Sequence, residues 1–394
     1  MEIKKGYKMT DVGVIPEDWE VKSIGEVLSI CNGMDYKHLN RGNYPVYGTG
    51  GLIARVDDYL FEGESVCIGR KGTIDTPIYL NEKFWTVDTL FYSINFVGVI
   101  PKFIYYIFNT IDWLSLNEAS GVPSLSKDNI KLQLIQIPNL SEQQAIADAL
   151  TKADNLITSL SKVIEKKKMI KKGAMQKLLS GEMRLDGFEG EFATKTFSDF
   201  IERFATGLNP RDNFELNKGG NNYYVTIKNF INGKLFLDDN CDKITDEAID
   251  IIDKRSSLKV GDVLFSSIGR IGDAYVINEN PTNWNINESV FALRPNPTIM
   301  DSFFLYYLIK SDSVQKKFDD AISGSTLKSI KLNDLKEIEC TYPQNIDEQT
   351  AIANILTTMD NEIEALEKER DKYKCIKQGM MLQLLTGKIR LTCQ

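Results

Sequence analysis

The sequence predicts an α+β chain in which two sheet-rich globular regions alternate with two long helices, related by an internal pseudo-twofold. Three observations predict it. A helical segment occurs twice. The stretches 1–140 and 186–345 are β-branched and aromatic runs punctuated by Gly and Asn. The length of 394 residues also exceeds one ordinary core, since domains average roughly 100 to 200 residues. The expected boundaries are therefore 1–140, 141–185, 186–345 and 346–394.

The helices come first because the repeat is strongest there. Glu142-Gln143-Gln144-Ala145-Ile146-Ala147 matches Glu348-Gln349-Thr350-Ala351-Ile352-Ala353 at an offset of 206 residues. Carried forward without a gap, the match ends with Gly181, Arg184 and Leu185 against Gly387, Arg390 and Leu391, and roughly 23 of 44 positions are identical. Ile146, Leu150, Ala153, Ile157, Leu160 and Ile164 step by four and three, as do Ile352, Leu356, Met359, Ile363 and Leu366, which is a coiled-coil seam. Continuing the heptad places Lys167 and Lys171 in the first seam and Arg370, Tyr373 and Lys377 in the second. Ser141 with Gln144 is expected to form a capping box, Asp347 to cap the second copy, and Gly181 and Gly387 to end the helices. Two heptad copies in one chain most simply pack on each other. The cluster Lys162, Lys166, Lys167, Lys168, Lys171 and Lys172 reads as a solvated face, with a phosphate-binding stripe as the alternative.

The globular regions repeat in order rather than in letters. Gly63-Glu64-Ser65-Val66-Cys67-Ile68-Gly69-Arg70 has a counterpart in Gly261-Asp262-Val263-Leu264 through Ile268-Gly269-Arg270, each a strand entering an Ile-Gly-Arg turn. A Trp strand follows (Trp85, Trp284), then an apolar helix with Tyr105-Tyr106 or Tyr306-Tyr307, then Ser120-Gly121 or Ser323-Gly324. Gly69, Gly72, Gly269 and Gly272 suit tight turns at positive φ. The same turns would display Arg70, Lys71 and Arg270 toward phosphates or guanine edges, and the two readings are compatible. Tyr47 lies in a Gly-rich stretch, Tyr44 to Gly51, that lacks the Gly-Lys-Ser/Thr of a phosphate loop. Asn222 and Tyr223 could contact bases, although Asn and Tyr at strand ends are as often turn formers.

Composition removes whole classes of function. His38 is the only histidine, so a His-based triad or multi-His metal site has no material, and His38 is expected at the surface. Six scattered cysteines form no CxxC pair, which fits a reducing cytoplasm. No apolar run reaches the ~20 residues of a membrane span and no signal peptide is visible, so a soluble, cytoplasmic protein is expected. P-loop, GxSxG, His-Glu-x-x-His and the adenine methyltransferase tetrad are all missing. A net charge of −8 argues mildly against a free-standing nucleic-acid binder.

Over essentially its whole length the layout resembles the DNA-specificity subunit of a Type I restriction-modification enzyme. The resemblance rests on the repeated Glu-Gln-x-Ala-Ile-Ala start, the Leu-Leu-x-Gly-x-x-Arg-Leu finish (Leu178–Leu185, Leu384–Leu391), and the entry Ile15-Pro16-Glu17-Asp18-Trp19-Glu20. Gly187 to Phe192 looks like a degenerate echo of that entry. It implies a non-catalytic reader of double-stranded DNA: two target recognition domains, each for half of a bipartite target, with the helices as an antiparallel coiled coil between them. It implies two methyltransferase subunits docked beside the helices, for which Gln143, Ile146, Leu178, Gln349, Ile352 and Leu384 are the candidate positions, and restriction subunits for cleavage. S-adenosylmethionine is expected on the methyltransferase partners and no cofactor or metal on this chain. Two other classes stay open from the residues alone: a self-sufficient DNA methyltransferase or nuclease, and a coiled-coil adaptor without DNA binding.

Overall fold

The computed structural model describes residues 3, 5–231, 233–322 and 328–391; Ser323-Gly324 therefore lies outside the described residues. The chain divides into two compact units, one of residues 1–162 with 367–394 and the other of residues 163–366. The division falls inside both long helices, Leu140–Ser180 and Ile346–Leu384.

In the first unit a six-stranded sheet contains β1 (Ser29–Asn32), β2 (Arg41–Gly48), β3 (Gly51–Val56), β4 (Phe61–Gly69), β5 (Ile78–Thr86) and β6 (Leu90–Ile94). Its order is β1-β6-β4-β5-β2-β3, antiparallel except for the parallel pair β2 and β5, in which Val46 faces Trp85. The helix Pro101–Phe108 takes Pro at its start, where the missing N–H costs nothing. It buries Phe103, Ile104, Tyr106, Ile107 and Phe108 in a core with Trp19, Trp113, Ile146, Leu150, Leu384 and Leu385. Each such large apolar side chain contributes roughly 1.5–3 kcal/mol by leaving water.

The second unit follows the same order with a broken sheet. Its strands are β7 (Ile201–Thr206), β8 (Asn222–Val225), β9 (Lys243–Ile244), β10 (Val263–Ser266), β11 (Ala274–Val276), β12 (Trp284–Ile286) and β13 (Val290–Pro295). β7-β13-β10-β11 form one sheet and β9-β8-β12 another, with β8 and β12 parallel. What is one nine-residue strand, β5, in the first unit is two short strands, β11 and β12, in the second, separated by residues 277–283, which include Pro281. Proline lacks the N–H a ladder needs, so the strand stops there. The core joins Leu178, Leu179, Phe304, Leu305, Leu308, Ile352, Ala353 and Leu356.

The helix ends differ from the sequence expectation at one terminus and agree at the other. Asn139 caps the first long helix, accepting from the Glu142 N–H at 2.9 Å, and Asn345 does so for the second through the Asp347 N–H at 2.9 Å. Ser141 and Asp347 are already inside the helices. Asn offers its side-chain oxygen to the orphan N–H groups as well as Ser or Asp does, so the nearest capable residue upstream takes the position. Gly181 and Gly387 terminate the helices at φ +77° and +68°, where the Met183 and Ile389 N–H groups reach back six residues to Lys177 and Gln383.

Candidate nucleic-acid interface

The repeated helix motifs build the same clamp in each unit. In the first, Glu142 is 1% exposed and accepts from Arg390 Nε and Nη2 (2.7 and 2.8 Å), from the Trp19 indole N–H (3.1 Å) and from the Leu391 N–H (3.3 Å). Arg390 also forks onto Asp18 at 2.9 and 2.7 Å. Hydrogen bonds with Glu142 and then Asp18 hold the guanidinium well above its ordinary pKa, and Arg390 in turn lowers that of Asp18. In the second unit the fully buried Glu348 accepts from Arg184 at 2.6 and 2.8 Å. The next residue, glutamine, fastens the helix to its own globule. Gln143 accepts from the Ile100 N–H and donates to the Gly98 and Pro138 carbonyls; Gln349 does the same with Asp301, Ile299 and Pro343.

The seam lysines have partly buried acceptors as well. Lys377 pairs with Asp154 at 2.6 Å, and Asp154 accepts the Tyr106 hydroxyl at 2.8 Å. Lys171 pairs with Asp360 at 2.6 Å, and Asp360 accepts the Tyr307 hydroxyl at 2.8 Å. Burial first, and the carboxylates second, raise both phenols far above ordinary tyrosine. Within each unit the partners rise along one helix as they fall along the other, Glu142 with Arg390 and Asp154 with Lys377, so the helix segments run antiparallel. Lys167 and Lys172 pair with Glu362 and Asp312, so with Lys171 three members of the lysine cluster are ion-paired along the helices.

Gln143, Ile146, Leu178, Gln349, Ile352 and Leu384, the positions expected beside a partner, are between 0% and 5% exposed and packed inside their own units. A heptad seam and a docking face are both apolar in sequence, and here the seam accounts for the pattern.

Of the expected DNA-contacting residues, Arg70 and Lys71 come together. They line an open cleft of about 380 Å³ with Asn32, Phe91, Glu118, Ser124, Leu125, Ser126 and Lys127. Arg270 is exposed but occupied: its guanidinium donates to the Ile227 and Phe230 carbonyls at 2.9 and 3.2 Å and pairs with Asp273 at 3.1 Å. Tyr47 donates to Glu82 at 2.7 Å, and burial with that carboxylate pushes its phenol up to about 12. Asn222 is 9% exposed with its amide on Asp246, while Tyr223 carries Lys243 Nζ at 3.4 Å from its ring centroid. His38 is exposed, edge-on to Trp85.

The two Ile-Gly-Arg turns are not equivalent positions. Arg70 donates its N–H to Thr89 and accepts from Leu125; in the second unit Ser267 donates to Ser289 and accepts from Ile330. The bridges agree, Lys71 with Ser124 and Ile268 with Ser329. Arg70 thus matches Ser267, and Arg270 lies three residues beyond. Gly69 also differs from expectation: its φ is not positive, and it is required because a Cβ would collide with the Thr73 carbonyl oxygen. Gly72, Gly269 and Gly272 do adopt positive φ. Sequence reasoning missed Lys127 and Phe91, since both reach the cleft from other elements, far along the chain from Arg70.

Among the described residues no cluster of His, Cys, Asp or Glu could hold a metal, and no helix is long and apolar enough to cross a membrane. Over 445 aligned positions the chain is 25% identical to the putative type I restriction enzyme MjaX specificity subunit of Methanocaldococcus jannaschii, covering 98% of this chain and 97% of that one. Its fold matches a Type-I restriction-modification system S subunit from M. genitalium with a TM-score of 0.64 at 16% identity, over 98% of both chains. A structure concerned with complex assembly and conformational transition of the type I R-M system matches with a TM-score of 0.52 at 14% identity, over 95% of this chain and 99% of that one. The family model described as the Type I restriction modification DNA specificity domain matches residues 16–171 and again 189–372. With two such domains and the repeated helix motifs that clamp each unit, the chain belongs to the Type I restriction-modification specificity subunits, which are non-catalytic.

Proposed function

We propose that this subunit reads a bipartite DNA target, one half with each unit, and that the long helices hold the two halves at a set spacing while methyltransferase subunits dock beside them. The observation that carries this reading is the contrast between a duplicated frame and divergent reading surfaces. The buried Glu–Arg pair, the glutamine fastener and the tyrosine–aspartate–lysine lock recur at matching positions, whereas the position of Arg70 is held by Ser267 and the edge strands differ. A repeated frame with different surfaces suits two different half-sites better than one repeated one. S-adenosylmethionine would be bound by the methyltransferase partners, which would carry the chemistry, with restriction subunits joining for cleavage. The partners would share the grip on DNA, which makes a net charge of −8 compatible with binding.

Sequencing the methylated motifs of the source genome with and without this gene tests the reading: one asymmetric bipartite motif should vanish, and an unchanged methylation pattern overturns it. Exchanging residues 1–140 for those of another specificity subunit should change one half of the motif only. A four-residue insertion at Lys166 lengthens the helix by ~6 Å and should lengthen the non-specific spacer while both half-sites keep their bases.

A further inference from the structure

We infer that the cleft of the first unit is a seat for a DNA backbone phosphate, gripped jointly by Arg70 and Lys127 with Lys71 at its rim. This inference rests on the DNA-reading function proposed above and assigns that site its ligand group.

The cleft gathers three cations, Arg70, Lys71 and Lys127, against a single carboxylate, Glu118. The Arg70 guanidinium lies 6.0 Å and the Lys127 ammonium 5.8 Å from the centroid of the same ring, Phe91. Among the described residues neither these two nor Lys71 makes an ion pair, in contrast to Arg270, Lys310 and Lys171 of the other unit. The single carboxylate in the lining, Glu118, is taken up by Ser126 Oγ at 2.8 Å and by the Asn129 amide. Two cations converging over one ring repel unless an anion lies between them.

The backbone beneath them is fixed. Arg70 is tied through its N–H to Thr89 at 2.7 Å and through its carbonyl to Leu125 at 3.0 Å; Lys71 bridges to Ser124, and the Gly72 N–H is held by Pro123. Ser126 caps the turn that presents Lys127. The cations are therefore displayed from an ordered frame, which lowers the entropy lost on binding.

The shape favours phosphate over a base. Phe91 is 2% exposed, so its face is not open for a base to stack on, while its apolar body lowers the local dielectric and strengthens charge pairing above it. A compact anion meets both cations at once and takes a guanidinium fork on two oxygens. In the second unit Ser267 stands in the place of Arg70, Ile268 in that of Lys71, and Leu332 follows the equivalent cap, so none of the three cations recurs at these positions among the described residues.

The test uses the full chain in complex with its methyltransferase subunits, and duplexes with and without the methylated motif. Arg70→Ala and Lys127→Ala should each weaken binding roughly fivefold to tenfold at physiological salt on both duplexes, and reduce the slope of log affinity against log salt by about 0.9. Arg70→Lys should keep the slope. Phosphate-ethylation interference should lose one signal, the same in both alanine variants, within the half-site of the first unit. Loss of affinity confined to the motif-bearing duplex would show that Arg70 reads a base, and unchanged slopes and interference would show that the cleft faces away from DNA; either overturns the inference while leaving the function intact. Failure of the wild-type complex to bind duplex DNA would overturn both.

Discussion

The two clamps differ by one indole and one carboxylate. Glu142 and Arg390 are joined by Trp19 and Asp18; Glu348 and Arg184 have Phe192 in the place of the tryptophan and a backbone carbonyl, Gly190, in the place of the aspartate. The arginine rests over the aromatic ring in both, at 5.8 Å from Trp19 and 5.1 Å from Phe192. What repeats is therefore the buried ion pair and its aromatic floor, and what varies is the number of further hydrogen bonds that satisfy it. An ion pair taken out of water is stable only when its remaining oxygens and protons find partners.

The largest expected effect follows from removing the carboxylates. Glu142→Ala should cost about 3–5 kcal/mol, because it strands Arg390, Trp19 and the Leu391 N–H together, and Glu348→Ala about 2–3 kcal/mol. Urea unfolding separates the units, since Trp19, Trp85 and Trp113 report on the first and Trp284 on the second. Equal costs would mean that the extra bonds of the first clamp contribute nothing. Trp19→Phe copies the second clamp into the first and should cost about 1–2 kcal/mol by leaving one carboxylate lone pair unfilled, read by far-UV circular dichroism.

A second pair sharpens the contrast between displayed and occupied arginines. Arg270→Ala should lower the stability of the second unit by about 1 kcal/mol and leave the salt dependence of DNA binding unchanged. Arg70→Ala should do the reverse, and calorimetric melting alongside binding titrations checks both.

The smallest effect is electrostatic. Arg390 depresses the pKa of the mostly exposed Asp18, so the pair stabilises the first unit above pH ~4 and the contribution disappears as pH falls through the lowered value. Asp18→Asn should cost less than about 1 kcal/mol near neutrality and nothing once the wild-type carboxyl is protonated. A pH-independent difference would assign the loss to packing.

The frame was legible in the sequence to the extent that its signals are local. The seam positions, the glycine stops and the Tyr-Tyr helices follow from spacing within one element, and the α+β class follows from them. The caps were misplaced because Asn139 and Asn345 precede the Ser and Asp that look better in isolation. The Ile-Gly-Arg identity misled more seriously. Three shared letters aligned Arg70 with Arg270, yet long-range backbone bonds to Thr89 and Leu125, or to Ser289 and Ile330, decide which residues correspond. Glu142 and Arg390 stood out as repeated residues, but nothing in a linear reading joins partners 248 positions apart. A shorter separation, still between different elements, hides Lys127 from Arg70.

Because residues 163–366 are inserted within the first unit, synthesis and folding run in different orders. The N-terminal globule leaves the ribosome first, yet Arg390, Leu384 and Leu385, which close its clamp and core, leave last. The inserted unit, about 200 residues, takes roughly 10 to 40 s to make at ~5–20 residues per second, and it is complete before its predecessor. Through that interval Ile146, Leu150 and Trp19 lack the cover that Leu384, Leu385 and Arg390 later provide. A premature stop within the last thirty or so codons would damage the opposite end of the gene's product, abolishing the N-terminal unit while the middle of the chain folds intact.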